Sequence, residues 1–170
     1  MQITDLESRP AGFQRVSAAL TAKQHGHAPR WLEVAARTSE EAAHALGVHL
    51  GQIAKSVVFR RKRDGAAVLV ITSGDRRVDE KRLLPHTGPL GRADPDYVKA
   101  STGFVIGGVS PLGFAPAEGA ALPLLFMDRE LFRFELIWAA AGHPNGVFCV
   151  TPAELQALTA ALVIDVVQQS

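Results

Sequence analysis

The chain has 170 residues, 47% hydrophobic and 21% charged, which fits one folded domain spanning 1–170 and excludes an intrinsically disordered chain. A formal net charge of +1 supplies no global attraction to nucleic acid, so any such binding has to come from a local patch. Cys149 is the single cysteine, which excludes an intramolecular disulfide and suggests a reducing compartment. The first stretch, MQITDLESRP, lacks a secretory signal pattern and the apolar runs are too short to span a bilayer, so a cytoplasmic protein without membrane contact is expected.

In chain order, AGFQRVSAALTAKQ puts Phe13, Val16, Ala19 and Leu20 at helical spacing and predicts an amphipathic helix. HAPRWLEVAAR reads as extended around Trp31 to Val34. TSEEAAHALGV predicts a second helix, with Thr38 as cap, Glu41 completing a capping box and Gly47 ending it. In IAKSVVFRRKRDGAAVLVITSGD, two β-branched runs flank Asp-Gly, the composition of a tight hairpin. VDEKRLLPHTG and ADPDYVKASTG predict two short helices, each closed by glycine. LPLLFMDREL predicts a strand with a helical turn after Asp128, and FELIWAAAG and VFCVT two more strands. TPAELQALTAA is a helix capped by Thr151 with Pro152 at its first position, and LVIDVV a last strand. Strands joined mostly by short turns favour a mixed α+β sheet over a regularly alternating doubly wound one.

Between these elements lies TGFVIGGVSPLGF, 102–114, with four glycines and a proline. It matches neither the P-loop, since no Gly-Lys-Ser/Thr follows, nor the dinucleotide fingerprint. A hairpin or bulge in which glycine permits positive φ is one reading; a rigid cradle of backbone N–H groups for an oxygen-rich ligand is the other. Lys55, at the start of the apolar run SVVF, is either an ordinary solvated lysine or an ammonium placed to hold a phosphate or ester oxygen. His143, in AAAGHPNG, is either an exposed turn residue or part of a site. His25 and His27 lack a second ligand cluster at metal spacing, so no metal is expected, and nothing in the chain asks for a cofactor. Ser110 has no nucleophile elbow and no acid–base partners in view, and Cys149 in VFCV reads as a core thiol. Arg60, Arg61, Lys62 and Arg63 occupy the predicted hairpin tip, and Arg76, Arg77, Lys81 and Arg82 follow the next strand. These are either solvated faces or, if they share a side, a phosphate-tracking patch.

Taken in order, GQIAKSVVF, VLVITSGDRRVDEKRL, ASTGFVIGGVSPLGF and AAGHPNGVFCVTPAEL resemble the YbaK/EbsC family, from about Thr38 to the C-terminus. That family includes the editing domain inserted in bacterial prolyl-tRNA synthetases and its free-standing relatives. The resemblance implies a mixed, strongly curved, barrel-like sheet flanked by helices. It also implies a trans-editing aminoacyl-tRNA deacylase acting on mischarged tRNA, commonly tRNA(Pro) carrying alanine, cysteine or 2-aminobutyrate. A synthetase such as prolyl-tRNA synthetase is the implied partner. The family's pocket lysine matches Lys55 and its Gly-x-x-x-Pro loop runs from Gly107 to Pro111; the histidine of its His-Pro turn, present in some members, matches His143. By the same resemblance the backbone of Gly107, Gly108 and Val109 would bind the carbonyl oxygen, and Ser56, Thr102, Gly103, Ser110 and Pro111 would contact substrate. A non-catalytic module that binds tRNA or a synthetase is the alternative, sharing the basic residues but needing no pocket.

Overall fold

Asp-Gly does close a hairpin. In the computed structural model, which describes residues 6–168, β2 (Ile53–Arg61) and β3 (Ala67–Ser73) pair antiparallel from Ala54↔Ser73 to Arg60↔Ala67. Gly65 takes φ +76°, a turn conformation open to glycine at little cost, and the Asp64 carboxylate accepts the Ala66 N–H.

β3 is buried along its whole length and lies at the middle of a mixed sheet. On one side it is followed by two parallel strands, β5 (Leu124–Asp128) and β8 (Leu162–Ile164). On the far side of β2 come β6 (Ile137–Ala140), β7 (Gly146–Val150) and the two-residue β1 (Arg30–Trp31), each antiparallel to the one before it except β6, which runs parallel to β2. Strand β4 (Leu90–Arg92) pairs with the other end of that same β2 edge.

Alternation along β3 sends Leu69 and Ile71 to one face and Val68 and Val70 to the other. The first face carries the main core, where helix α1 (Ala11–Ala22) inserts Phe13, Val16 and Leu20 against Phe104, Met127, Ile137 and Phe148. Leu155 of helix α5 (Pro152–Thr159) closes the same core. The opposite face packs Leu83 of helix α3 (Glu80–Thr87) on Val68, Val70 and Phe126. Helix α2 (Ser39–Leu46) sits at the β2–β6 junction, with Ala42 and Ala43 on Ile53 and Trp138.

The capping signals act as read. Thr38 accepts the Glu41 N–H, Gly47 is left-handed, and Thr151 and Glu154 form a reciprocal box. Helix α4 (Pro95–Thr102) begins at Asp94, whose carboxylate accepts the Tyr97 N–H.

Three segments differ from expectation. The extended stretch at Trp31 ends there, because Leu32 and Ala36 donate their N–H groups to Asn145 and Pro144 of the turn before β7 rather than to a strand. The last strand stops at Ile164, and Val167 returns only through a single bridge to Val78. Short β4, with a glycine at its centre, gave no strand pattern to read.

Candidate functional site

The site arises from a divergence of strands. Strand β6 pairs with β2 only at Ile53 and Ala54, and β4 joins that edge only from Phe59 onward, so residues 55–58 have no strand partner there. A cavity of about 160 Å³ opens in this gap. Because it meets β2 edge-on, both Lys55 and Ser56, which point to opposite faces, line it. The remaining walls are Trp138–Ala140, Gly146 and Val147 from the two diverging strands, Ala36–Ser39 and Ala42 around the start of α2, and Gly107 and Val109 from the loop.

Lys55 is half-buried, and its ammonium has no hydrogen bond or ion pair among the described residues. Burial lowers its pKa; Glu40 raises it, Arg77 lowers it and Asp75 raises it through space. An unpaired cation in a partly desolvated wall calls for an anionic or strongly dipolar guest. Ser56 adds a second unsatisfied group, its hydroxyl buried without a partner.

The chain from Gly103 to Pro123 contains no helix or strand. Gly107 has φ +96°, and a Cβ there would meet Arg37 Cγ at 3.4 Å. Its N–H and that of Val109 make no hydrogen bond to described residues, and both residues border the cavity. Gly108 differs: its N–H donates to the Val105 carbonyl, and an added Cβ would stand 2.7 Å from His143 Cα. Of the three residues expected to supply amide donors, Gly107 and Val109 have N–H groups without a partner among the described residues, while Gly108 is the point where the loop rests on the histidine turn.

His143 does not line the cavity. Its Nδ1 accepts the Asn145 N–H at 3.1 Å, and burial followed by the nearby Arg37 charge pushes its pKa below the ordinary value. Both effects favour the neutral imidazole. Thr102, Gly103, Ser110 and Pro111 also stand back from the cavity and shape the loop. The Thr102 hydroxyl donates to Val98 and accepts from Phe104, and the left-handed Gly103 offers its carbonyl to Arg15 and Lys99. Ser110 and Pro111 are buried, with Ser110 Oγ accepting the Leu112 N–H.

Arg60 to Arg63 and the Arg76–Arg77 pair lie at opposite ends of the β2–β3 hairpin. Arg61 lies six residues along β2 from Lys55, about 20 Å away at strand rise, and it is held by Asp64 at 2.7 and 2.9 Å. Arg76 and Arg77 follow the end of β3 that pairs beside Lys55, and Arg76 bonds Asp75. Arg37, Trp138 and the small residues of β6 and β7 were missed in the sequence. Their only signal is the run of small side chains in AAAG and NGV, which reads equally well as tight strand packing.

Residues 33–158 match the family model described as the aminoacyl-tRNA editing domain. The chain is 36% identical to the uncharacterized protein YwhH of Bacillus subtilis over 124 residues, 72% of this chain and 75% of that protein. It is 26% identical, over 72% of both chains, to EbsC of Enterococcus faecalis, a candidate Cys-tRNA(Pro)/Cys-tRNA(Cys) deacylase. The proline–tRNA ligase of Solidesulfovibrio magneticus is 36% identical over 97 residues, 55% of this chain but 15% of the ligase. Among solved structures, a candidate trans-editing enzyme for prolyl-tRNA synthetase matches with TM-score 0.83 and 39% identity, covering 95% of this chain and 100% of the other. Among the described residues, no helix is long and apolar enough to cross a membrane.

Proposed function

Because the chain belongs to the aminoacyl-tRNA editing domain family, we propose that it is a deacylase that hydrolyses the ester of a mischarged tRNA in trans, tRNA(Pro) with a small wrong amino acid being the favoured substrate. One observation carries this reading: a half-buried, unpaired Lys55 ammonium shares a small cavity with the free N–H groups of Gly107 and Val109.

An aminoacyl ester is already activated, so no nucleophilic triad is required; orientation of water and stabilisation of charge suffice. Lys55 holds the 3′-terminal phosphate or the ester oxygens. Water adds to the carbonyl carbon, and the carbonyl oxygen becomes an oxyanion facing the Gly107 and Val109 amides. As the intermediate collapses, the carbon–oxygen bond to the ribose breaks. The leaving ribose oxygen takes up the proton given up by water, with the neighbouring ribose hydroxyl assisting. The unpartnered Ser56 hydroxyl is available to the substrate's amino group.

Ala36, Ala42, Ala139, Ala140, Val147 and Trp138 give the cavity an apolar lining. That lining suits alanine, cysteine or 2-aminobutyrate. Since one methylene changes discrimination by only about 1–3 kcal/mol, neighbours in size compete. Arg76 and Arg77 follow the end of β3 beside Lys55, which supports a role for them in following the tRNA backbone. A cytoplasmic protein acting beside prolyl-tRNA synthetase fits this chemistry.

Deacylation of alanyl-, cysteinyl- and 2-aminobutyryl-tRNA(Pro), with prolyl-tRNA(Pro) as control, tests the reading. The wild-type chain should release at least one small amino acid, and Lys55→Ala should release it about a hundredfold or more slowly while melting at a temperature no lower than wild type. Tight tRNA binding with no hydrolysis of any ester would favour the non-catalytic module instead.

A further inference from the structure

The family match begins at residue 33, yet the turn carrying His143 is held largely by residues before it. Arg30 and Trp31 pair with Val147 and Gly146. The Leu32 N–H donates to the Asn145 carbonyl at 2.6 Å, and Asn145 Nδ2 returns a bond to the Leu32 carbonyl at 2.7 Å. Gly12, in the first turn of α1, touches Gly142 so closely that neither position has room for a Cβ.

Side chains continue this contact. The Trp31 indole stacks on the His143 imidazole, with centroids 4.9 Å apart and planes 25° from parallel. Phe13 meets the indole edge-on at 5.3 Å. Over the indole lies the Arg9 guanidinium, 4.4 Å from the ring centroid, its buried Nε without a hydrogen-bond partner among the described residues. The Arg9 carbonyl accepts a 2.6 Å bond from Gln14 Nε2, which ties that residue to α1. A guanidinium over indole is a favourable cation–π pairing, and stacked aromatic planes resist tilting. The His143 backbone in turn abuts Gly108, at the centre of the loop.

We propose that Trp31, backed by Arg9, is a positioning residue for this loop: by stacking on His143 it fixes the turn on which Gly108 rests, and so sets where the Gly107 and Val109 amides point. The catalytic consequence rests on the deacylase reading; the stack itself does not. Trp31 does not line the cavity, so its loss should act on kcat rather than KM. Displacing oxyanion donors by about 1 Å costs up to about a hundredfold.

The experiment compares Trp31→Leu, Trp31→Phe and Arg9→Met with the wild-type chain. Each is followed by kcat and KM on the hydrolysed ester and by NMR titration of His143, assigned with His143→Gln. The charged groups beside that imidazole are Arg37, from the segment before α2, and Arg9 beyond the indole. For Trp31→Leu the expected result is a His143 midpoint raised towards its ordinary value, because one ring face becomes hydrated. With it goes a kcat loss of about tenfold or more at nearly constant KM. Trp31→Phe, which keeps a ring in the stack, should recover most of both. Arg9→Met, on the outer side of the indole, should lower kcat about threefold and decides the matter if Trp31→Leu does not fold. Wild-type kcat in both Arg9→Met and any folded Trp31→Leu would overturn the proposal, as would an unmoved His143 midpoint in folded Trp31→Leu. If the wild-type chain hydrolyses no ester, the deacylase reading fails, and the titration alone decides whether the stack holds the turn.

Discussion

The two ends of strand β2 carry similar chemistry and have opposite fates. At one end Lys55 faces a gap left by β6, half-buried and unpaired, with Arg77 close enough to depress its pKa further. At the other, Arg60 to Arg63 put four cations on four consecutive residues, but β4 fills the strand edge and Asp64 pairs with Arg61. Asp64 falls to about 2, chiefly through that hydrogen bond, so one of the four cations at the tip is matched within the turn and the rest are solvated. Cation density therefore does not mark the site. What marks it is a cation that the fold has partly desolvated and left without a partner, next to an opening in the sheet.

The sharpest way to break that comparison is to remove the lysine. Lys55→Ala should lower kcat/KM by about a hundredfold or more, in line with loss of a transition-state charge contact. Lys55→Met should show the same loss together with a raised melting temperature at pH 7. The sign follows from the depressed pKa. In the folded chain the ammonium is disfavoured, so its burial cost is fully present below the folded pKa and disappears as pH climbs from there to 10.5. Thermal melts of Lys55→Met against wild type should therefore converge towards pH 10.5. A melting temperature that falls at pH 7 would mean that Lys55 is structural. A further consequence is that activity depending on the ammonium declines on the alkaline side below 10.5, which initial rates corrected for spontaneous hydrolysis would reveal.

The loop offers a second, smaller break. Gly108→Ala puts a methyl 2.7 Å from backbone of the His143 turn, which cannot give way as a flexible side chain would. Gly107→Ala meets only Arg37 and Pro144 side chains at 3.4 Å or more, and its difficulty is φ +96°. Loss of kcat of about tenfold or more is expected for Gly108→Ala, with Gly107→Ala milder. The reverse ranking would show that the loop's conformation, and not its seat on the histidine turn, places the amides.

These two positions also show how far the sequence could be read. Periodicity, caps and Asp-Gly placed α1, α2, α5 and the β2–β3 hairpin because those signals are local: Thr38, Gly47, Gly65 and Thr151 each act within a few residues. Lys55, Gly107 and His143 were singled out through an ordered set of motifs, but their arrangement was not legible. Strand divergence beyond Ala54 depends on where β6 lands, 85 residues later, and no local pattern encodes it. The same limit explains why the stack of Arg9, Trp31 and His143 left no mark. Its members are scattered over more than 130 positions, and each alone reads as a surface arginine, a strand aromatic and a turn histidine. Gly107, Gly108 and Val109 look equivalent in the sequence; the Gly108–Val105 hydrogen bond and the seat of Gly108 on the His143 turn separate them.

The smallest expected effect lies at the hairpin tip and is the most discriminating for the comparison. Triple replacement of Arg60, Lys62 and Arg63 by alanine leaves the Arg61–Asp64 pair intact and removes three exposed or partly exposed cations about 20 Å from Lys55. A tip that tracks phosphates would lose close to one unit of salt slope per contact, up to about two or three in all. A tip that is only a solvated turn would lose less than one, with kcat/KM within about twofold at physiological salt. The second outcome is expected, because the tip and the cavity lie at opposite ends of one strand, and the proposed seat of the ester at Lys55 is at the end where Arg76 and Arg77 follow β3. Measured against log salt, Arg77→Ala should then flatten the slope more than the whole tip does, and a larger effect at the tip would place the tRNA along the β2–β4 edge instead.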